Sequence, residues 1–169
     1  MEFTRNSETS NQDDLLLRHN NKMQISLPAW LQVDKKISLQ EYQQMKLFMK
    51  TQDIGRYKIK QKDFYRVRDH EKIIAFGRLF EIGERQLELW SLWVDKNYRG
   101  RKIWLFIGQE LLKDRIAEYE VFLATKKILR LYYQKLWFKV IEENIPIKLQ
   151  YTIKRAIKEW IEFIIMKLT

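Results

Sequence analysis

Residues 92–112 read LWVDKNYRGRKIWLFIGQELL. An apolar run ends at Val94, a turn crowded with positive charge follows, and a helical pattern begins near Ile103. A strand that hands a basic turn to a helix is suited to anions. The first amides of the helix have no acceptor within it, so they point outward with the helix dipole behind them. Arg99, Arg101 and Lys102 add charge there, and Gly100 is the turn's one glycine. A plain solvated basic turn fits the same residues, so the meaning of the stretch depends on what the chain builds around it.

Upstream, DFYRVRDHEKIIAFGRLFEIGERQLELWSLWV (63–94) divides into three apolar runs separated by RDHEK and GERQ, the pattern of an antiparallel meander. Before it, Ser38 and Glu41 stand at capping-box spacing. Leu39, Tyr42, Met45, Phe48 and Met49 then recur on one helical face. ISLPAWLQV (25–33) predicts a first strand, which Pro28 assigns to a sheet edge. Residues 1–22 are polar and mixed in charge, the composition of a disordered lead, and Met23 is an alternative start.

Downstream, the spacing predicts a helix over about 101–117 and a short buried strand at VFLAT (121–125). A second helix, over about 126–136, is expected to face inward with Ile128, Leu131 and Tyr132. Strand, helix, strand in that order calls for a parallel pair. In LQYTIKRAIKEWIEFIIMKLT (149–169), Ile153, Ala156, Ile157, Trp160 and Ile161 share a helical stripe, and FIIMKLT is expected to close the sheet as a strand. An exposed edge at that strand would suit a homodimer. The expected fold class is α/β: a mixed, mainly antiparallel twisted sheet with helices on both faces, in one domain over residues 23–169.

The 169 residues carry 32 Lys and Arg against 22 Asp and Glu, a net charge of +10 that favours an anionic partner. The absence of cysteine excludes disulfides and thiolate chemistry, and His19 and His70 are too few to anchor a zinc site. No segment supplies the roughly 20 uncharged apolar residues of a membrane span. A cytoplasmic protein without membrane partners is the expectation.

The motif VDKNYRGRKIW (94–104) resembles the coenzyme A loop of the GNAT superfamily of acyl-CoA-dependent N-acyltransferases. Val94, Asp95, Tyr98, Arg99, Gly100 and Ile103 match its pattern. VFLATKKILRLYYQKLWF (121–138) is similar to the family's fifth strand and following helix. Two motifs in the right order extend the resemblance over roughly residues 25–169. It implies a GNAT-like sheet in which strand 87–94 and strand 120–125 pair in parallel and then splay apart, with acetyl-CoA as cosubstrate in the cleft. It also implies that the pantetheine arm bonds to backbone along Leu92, Trp93 and Val94. The pyrophosphate would rest on the amides of Arg99, Gly100, Arg101, Lys102, Ile103 and Trp104.

For the chemistry, the resemblance implies Glu88 as general base toward a primary amine and Tyr133 as general acid toward the departing thiolate. The alternatives are an exposed or hydrogen-bonded glutamate and a helix-packing tyrosine. Three glycines of the family pattern are replaced, by Lys102, Trp104 and Trp137. If position 102 takes positive φ, lysine costs about 1 to 2 kcal/mol there. An indole at 104 either fills the pyrophosphate site or crowds the interface between helix and sheet. The first expectation is therefore an N-acetyltransferase for an unidentified amine. The second is a catalytically silent GNAT-like module that binds a protein partner or nucleic acid through its basic surface. A third reading makes the C-terminal amphipathic helix a membrane-surface element.

Overall fold

The computed structural model describes residues 26–34, 37–51 and 64–169. The polar lead over 1–22 and the alternative start at Met23 lie outside the described residues. The described elements run β1 (Leu31–Asp34), α1 (Leu39–Thr51), β2 (Phe64–Asp69), β3 (Lys72–Gly83), β4 (Gln86–Val94), α2 (Ile103–Leu112), β5 (Glu120–Lys126), α3 (Arg130–Gln134), β6 (Phe138–Ile141), α4 (Ile147–Lys158) and β7 (Phe163–Leu168). Together the strands form one sheet of order β1-β2-β3-β4-β5-β7-β6. The expected meander is β2-β3-β4, and β1 lies at the sheet edge as Pro28 implies. Only β4 and β5 pair in parallel; the other neighbours are antiparallel.

Alternation along the strands divides the core between the two faces of the sheet. Ala75, Leu79, Leu87, Leu89, Val121, Leu123 and Met166 point to the face that α2 covers with Ile103, Ile107 and Leu111. Phe76 points the other way, to α1 with Met45 and Met49. Phe80, Phe122 and Ile165 share that second face and meet Leu149 of α4. Each of the larger aliphatic and aromatic side chains among them, fully buried, contributes about 1.5 to 3 kcal/mol. Gly77 of β3 allows α2 to approach this closely, because a Cβ there would sit 2.8 Å from both Ile107 and Leu111.

Several expectations need correcting. The helix predicted over 101–117 is shorter, ending at Leu112. The inward stripe Ile128, Leu131 and Tyr132 is in fact exposed, at 82%, 71% and 53%. The segment is too short to bury two faces, and its inward contacts come from Tyr133 and the buried Leu136 instead. In α4, Ala156 is buried and Ile153 half-buried, while Ile157 faces solvent and Leu149 supplies the anchor; Trp160 lies beyond the helix end at Lys158 and is exposed. Leu39 of α1 is exposed as well. The final strand forms as expected, but β7 lies inside the sheet between β5 and β6. The free edge at this end belongs to β6, so the dimer argument from the last strand falls.

The capping box forms as its spacing predicts: the Ser38 amide donates to the Glu41 carboxylate at 2.7 Å, and the Glu41 amide donates to Ser38 Oγ at 3.2 Å. Glu41 also accepts from Arg66 of β2 at 2.6 Å, and Arg66 reaches Asp34 of β1 at 3.2 Å. These bonds, that from Arg66 foremost, hold the Glu41 carboxyl down at about 2. Arg66 is buried, so Glu41→Ala leaves its charge half-compensated and should cost about 2 kcal/mol at neutral pH by chemical denaturation. The folded-state pKa is depressed, so this contribution is present above about 4.5 and fades as pH falls toward 2. The difference between wild type and Glu41→Ala should narrow over that window.

Candidate active site

The ladder between β4 and β5 has three rungs: Gln86 with Glu120, Leu87 with Val121 and Glu88 with Phe122. Beyond Glu88 the strands separate, so the edge of β4 from Leu89 to Val94 has no partner strand among the described residues. A bulge falls in that free stretch. Between the pairs Phe76–Trp93 and Arg78–Trp90, two steps on β3 match three on β4, and Ser91 takes φ 61°. Bulges of this kind bend a strand and re-aim its side chains. Ser91 Oγ is enclosed there with no hydrogen-bond partner among the described residues. The sequence pattern gave no sign of this hydroxyl, because a serine in an apolar run reads as a solvent-facing position.

Glu88 occupies the last rung before the fork. It is 7% exposed and lies on the sheet face shared with Phe80 and Phe122, its partners to either side. Burial among apolar groups raises its carboxyl to about 7, partly opposed by the positive charge of Arg78. Tyr133 approaches from the other face. It projects from α3, packs edge-on against Phe138 at 6.4 Å and bonds to the buried Thr125 of β5. Burial pushes its hydroxyl up, and the bond to Thr125 opposes that.

The basic turn is held firmly. Asp95 caps it by accepting from the Asn97 amide at 2.9 Å and binds Lys72 at 2.7 Å. The Tyr98 hydroxyl donates to Asp69 at 2.5 Å, and Arg101 lies over the Tyr98 ring at 5.3 Å. Arg99 Nε donates to the Val94 carbonyl at 3.2 Å. From Gly100 to Trp104, successive backbone amides find no acceptor among the described residues, and the helical pattern resumes with Leu105 bonding to Lys102. Five amides without an acceptor at a helix start, beside two arginines and a lysine, make an array of donors and positive charge suited to an anion.

The replaced glycines differ in consequence. Lys102 takes φ 59° and Trp137 φ 62°, so both carry the left-handed conformation that glycine would adopt without strain. Trp104 is half-buried in α2, and its ring meets Tyr132 of α3 edge-on at 5.6 Å. The indole therefore reaches from one helix toward the other, across the side of the fork, in addition to packing on the core beneath α2.

The sequence profile of the acetyltransferase (GNAT) family matches residues 27–135, well over half of the chain. The chain belongs to that family. No curated protein matches it in sequence. Among solved structures it is similar to N-acetylglutamate synthase from Neisseria gonorrhoeae complexed with coenzyme A and N-acetyl-glutamate, with TM-score 0.62 and 10% identity. That match covers 86% of this chain and only 37% of the synthase. A Mycobacterium tuberculosis protein in complex with CoA has TM-score 0.63 and 16% identity, over 82% of this chain and 98% of its own. An Arabidopsis thaliana protein held with the bisubstrate analogue CoA-Ac-MVNAL has TM-score 0.56 and 13% identity, over 83% and 99%. At such identities the likeness establishes the GNAT fold, including the sheet with its central parallel pair. No helix among the described residues is long and apolar enough to cross a membrane.

The raised carboxyl of Glu88 makes a prediction about stability. Its folded-state pKa of about 7 lies above the ordinary 4.5, so the neutral form is the one burial favours. The stability it allows is complete below pH 4.5 and declines as pH rises through 7. Glu88→Gln stays neutral and should remove that decline. Thermal melts should show the variant above wild type at pH 8, by up to about 3 kcal/mol, and level with it at pH 4.

Proposed function

We propose that this protein transfers an acetyl group from acetyl-CoA to a primary amine by direct attack. The observation that carries the reading is the fork itself: a parallel pair that opens immediately after a buried carboxyl, flanked by a row of free amides. In this reading the free edge of β4 along Leu92, Trp93 and Val94 receives the pantetheine arm as a further strand would be received. The amides from Arg99 to Trp104 hold the pyrophosphate, with Arg101 and Lys102 adding charge. The Val94 carbonyl, already engaged by Arg99, becomes available if that side chain turns toward a phosphate.

The amine must be neutral to attack the thioester carbonyl carbon, and Glu88 takes the proton that the nitrogen sheds. A carboxyl at about 7 is half-ionised at physiological pH, well matched to that task. As the carbon–sulfur bond breaks, the coenzyme thiolate gains a proton from Tyr133, whose buried hydroxyl retains its proton at neutral pH. The acceptor approaches from the face of Glu88, which α1 and α4 flank; the coenzyme arm lies nearer the face of Tyr133.

A second reading has its own observation. Trp104, where the family pattern has a small residue, reaches Tyr132 of the other helix, and with the +10 charge this favours a silent module binding a protein or nucleic acid. Acetyl-CoA titration separates the two. Binding at a hundred times the dissociation constant should stabilise the protein by about 2.7 kcal/mol. The absence of any thermal shift of the wild-type protein with millimolar acetyl-CoA would rule out the enzyme reading, and a shift in Trp104→Gly alone would identify the indole as the block. Where turnover is seen with an amine, Tyr133→Phe should lower kcat by about a hundredfold with little change in acetyl-CoA affinity.

A further inference from the structure

Among the described residues, Arg78 of β3 is the largest side chain that the fold buries completely. Its guanidinium lies 4.4 Å from the ring centre of Trp90, 5.2 Å from Phe80 and 5.9 Å from Phe64, so rings from three adjacent strands surround it. Burying a guanidinium is expensive, and aromatic faces return part of that cost. Neither the family pattern nor the strand periodicity of the sequence calls for a charge here. A leucine would satisfy both.

The register shows what the charge faces. Arg78 stands opposite Trp90 and Phe80 opposite Glu88, so Arg78 and Glu88 are diagonal neighbours on one face of an antiparallel pair. Long side chains reach one another at that separation. The other groups around Glu88 are apolar: Phe80 from β3, Phe122 from β5, Trp90 two residues along its own strand, and the cluster they share with Leu149 and Ile153 of α4. The cations of α4, Lys148, Lys154, Arg155 and Lys158, face solvent. On α1, Glu41 is committed to Arg66. Among the described residues, Arg78 is the charge whose field reaches the Glu88 carboxyl.

We propose that Arg78 is a positioning residue for acyl transfer, an internal counter-charge clamped by three rings that keeps Glu88 available as a carboxylate within an apolar fork. Without it, burial alone would leave the carboxyl protonated at neutral pH and unable to accept a proton from the amine. The role assigned to Glu88 rests on the acyltransferase reading; the electrostatic coupling does not.

Carbon-detected NMR of protein labelled at glutamate carboxyls tests the coupling without acetyl-CoA, with Glu88 assigned by its loss in Glu88→Gln. In Arg78→Met the Glu88 midpoint should rise by about one unit or more, whereas Arg78→Lys should keep it near wild type. An unmoved midpoint in folded Arg78→Met, or equal rises in both variants, would overturn the proposal. If Arg78→Met fails to fold, the wild-type protein decides the matter. The Arg78 Nε resonance should titrate with the Glu88 midpoint and lose that transition in Glu88→Gln; a flat Nε titration in wild type would count against it. In kinetic assays the acidic limb of kcat/KM should move with the NMR midpoint. Coupling by NMR with no acetyl transfer to any amine would retain Arg78 as the counter-charge and defeat the enzymatic role of Glu88.

Discussion

The structure turns on one interruption: β4 and β5 are neighbours in the sheet yet pair over only three residues before parting. A sheet ordinarily continues its ladder, since each unmade backbone bond in a dry interior costs free energy. Here the continuation is prevented from both sides. The bulge at Ser91 bends β4, and the antiparallel partner β7 draws β5 the other way. Antiparallel partners secure the outer edges of the fork: β3 holds β4 along most of its length, and β7 holds β5 from Phe122 to Lys126. The opening is therefore set by the pairing of the strands on either side of it.

Chemistry gathers where the ladder stops. The last rung has full burial from neighbouring strands, so a carboxyl there is desolvated, while the next residues of the same strand have a free edge. Glu88 obtains a raised pKa and a position next to the unpaired edge of β4 from the same geometry. Similar reasoning applies to the turn after Val94. It is anchored to the β2–β3 turn by Tyr98 and Lys72, so its amides face outward as a fixed array. The two residues lie on opposite faces, with Glu88 on the side of α1 and α4 and Tyr133 on the side of α2.

The elements read from periodicity formed where burial obeys local pattern. The capping box at Ser38 and Glu41, the meander and the closing strand are of this kind, and two short motifs in the right order were enough to expect the fork. The errors share a cause. Ile128, Leu131 and Tyr132 have the spacing of a buried stripe, but α3 is too short to reach a second layer, so its neighbours decide which residues go inside. Likewise the last strand in the chain is the natural candidate for an edge, whereas the antiparallel return from α4 inserts β7 between β5 and β6. Arg78 and Ser91 leave no mark in the local pattern, because a single polar residue in an apolar strand has the signature of a solvent-facing position.

The sequence by itself determined the order of elements, the basic turn into a helix and the family resemblance, because each rests on residues close together in the chain. It also located the three replaced glycines. Tertiary structure decided what those replacements do: Lys102 and Trp137 accept left-handed backbone, and Trp104 leans toward Tyr132, a residue of another helix. It alone enclosed Arg78 in rings from three strands and set it diagonal to Glu88. Burial, field and side-chain direction depend on partners distant in sequence, and no local pattern encodes them.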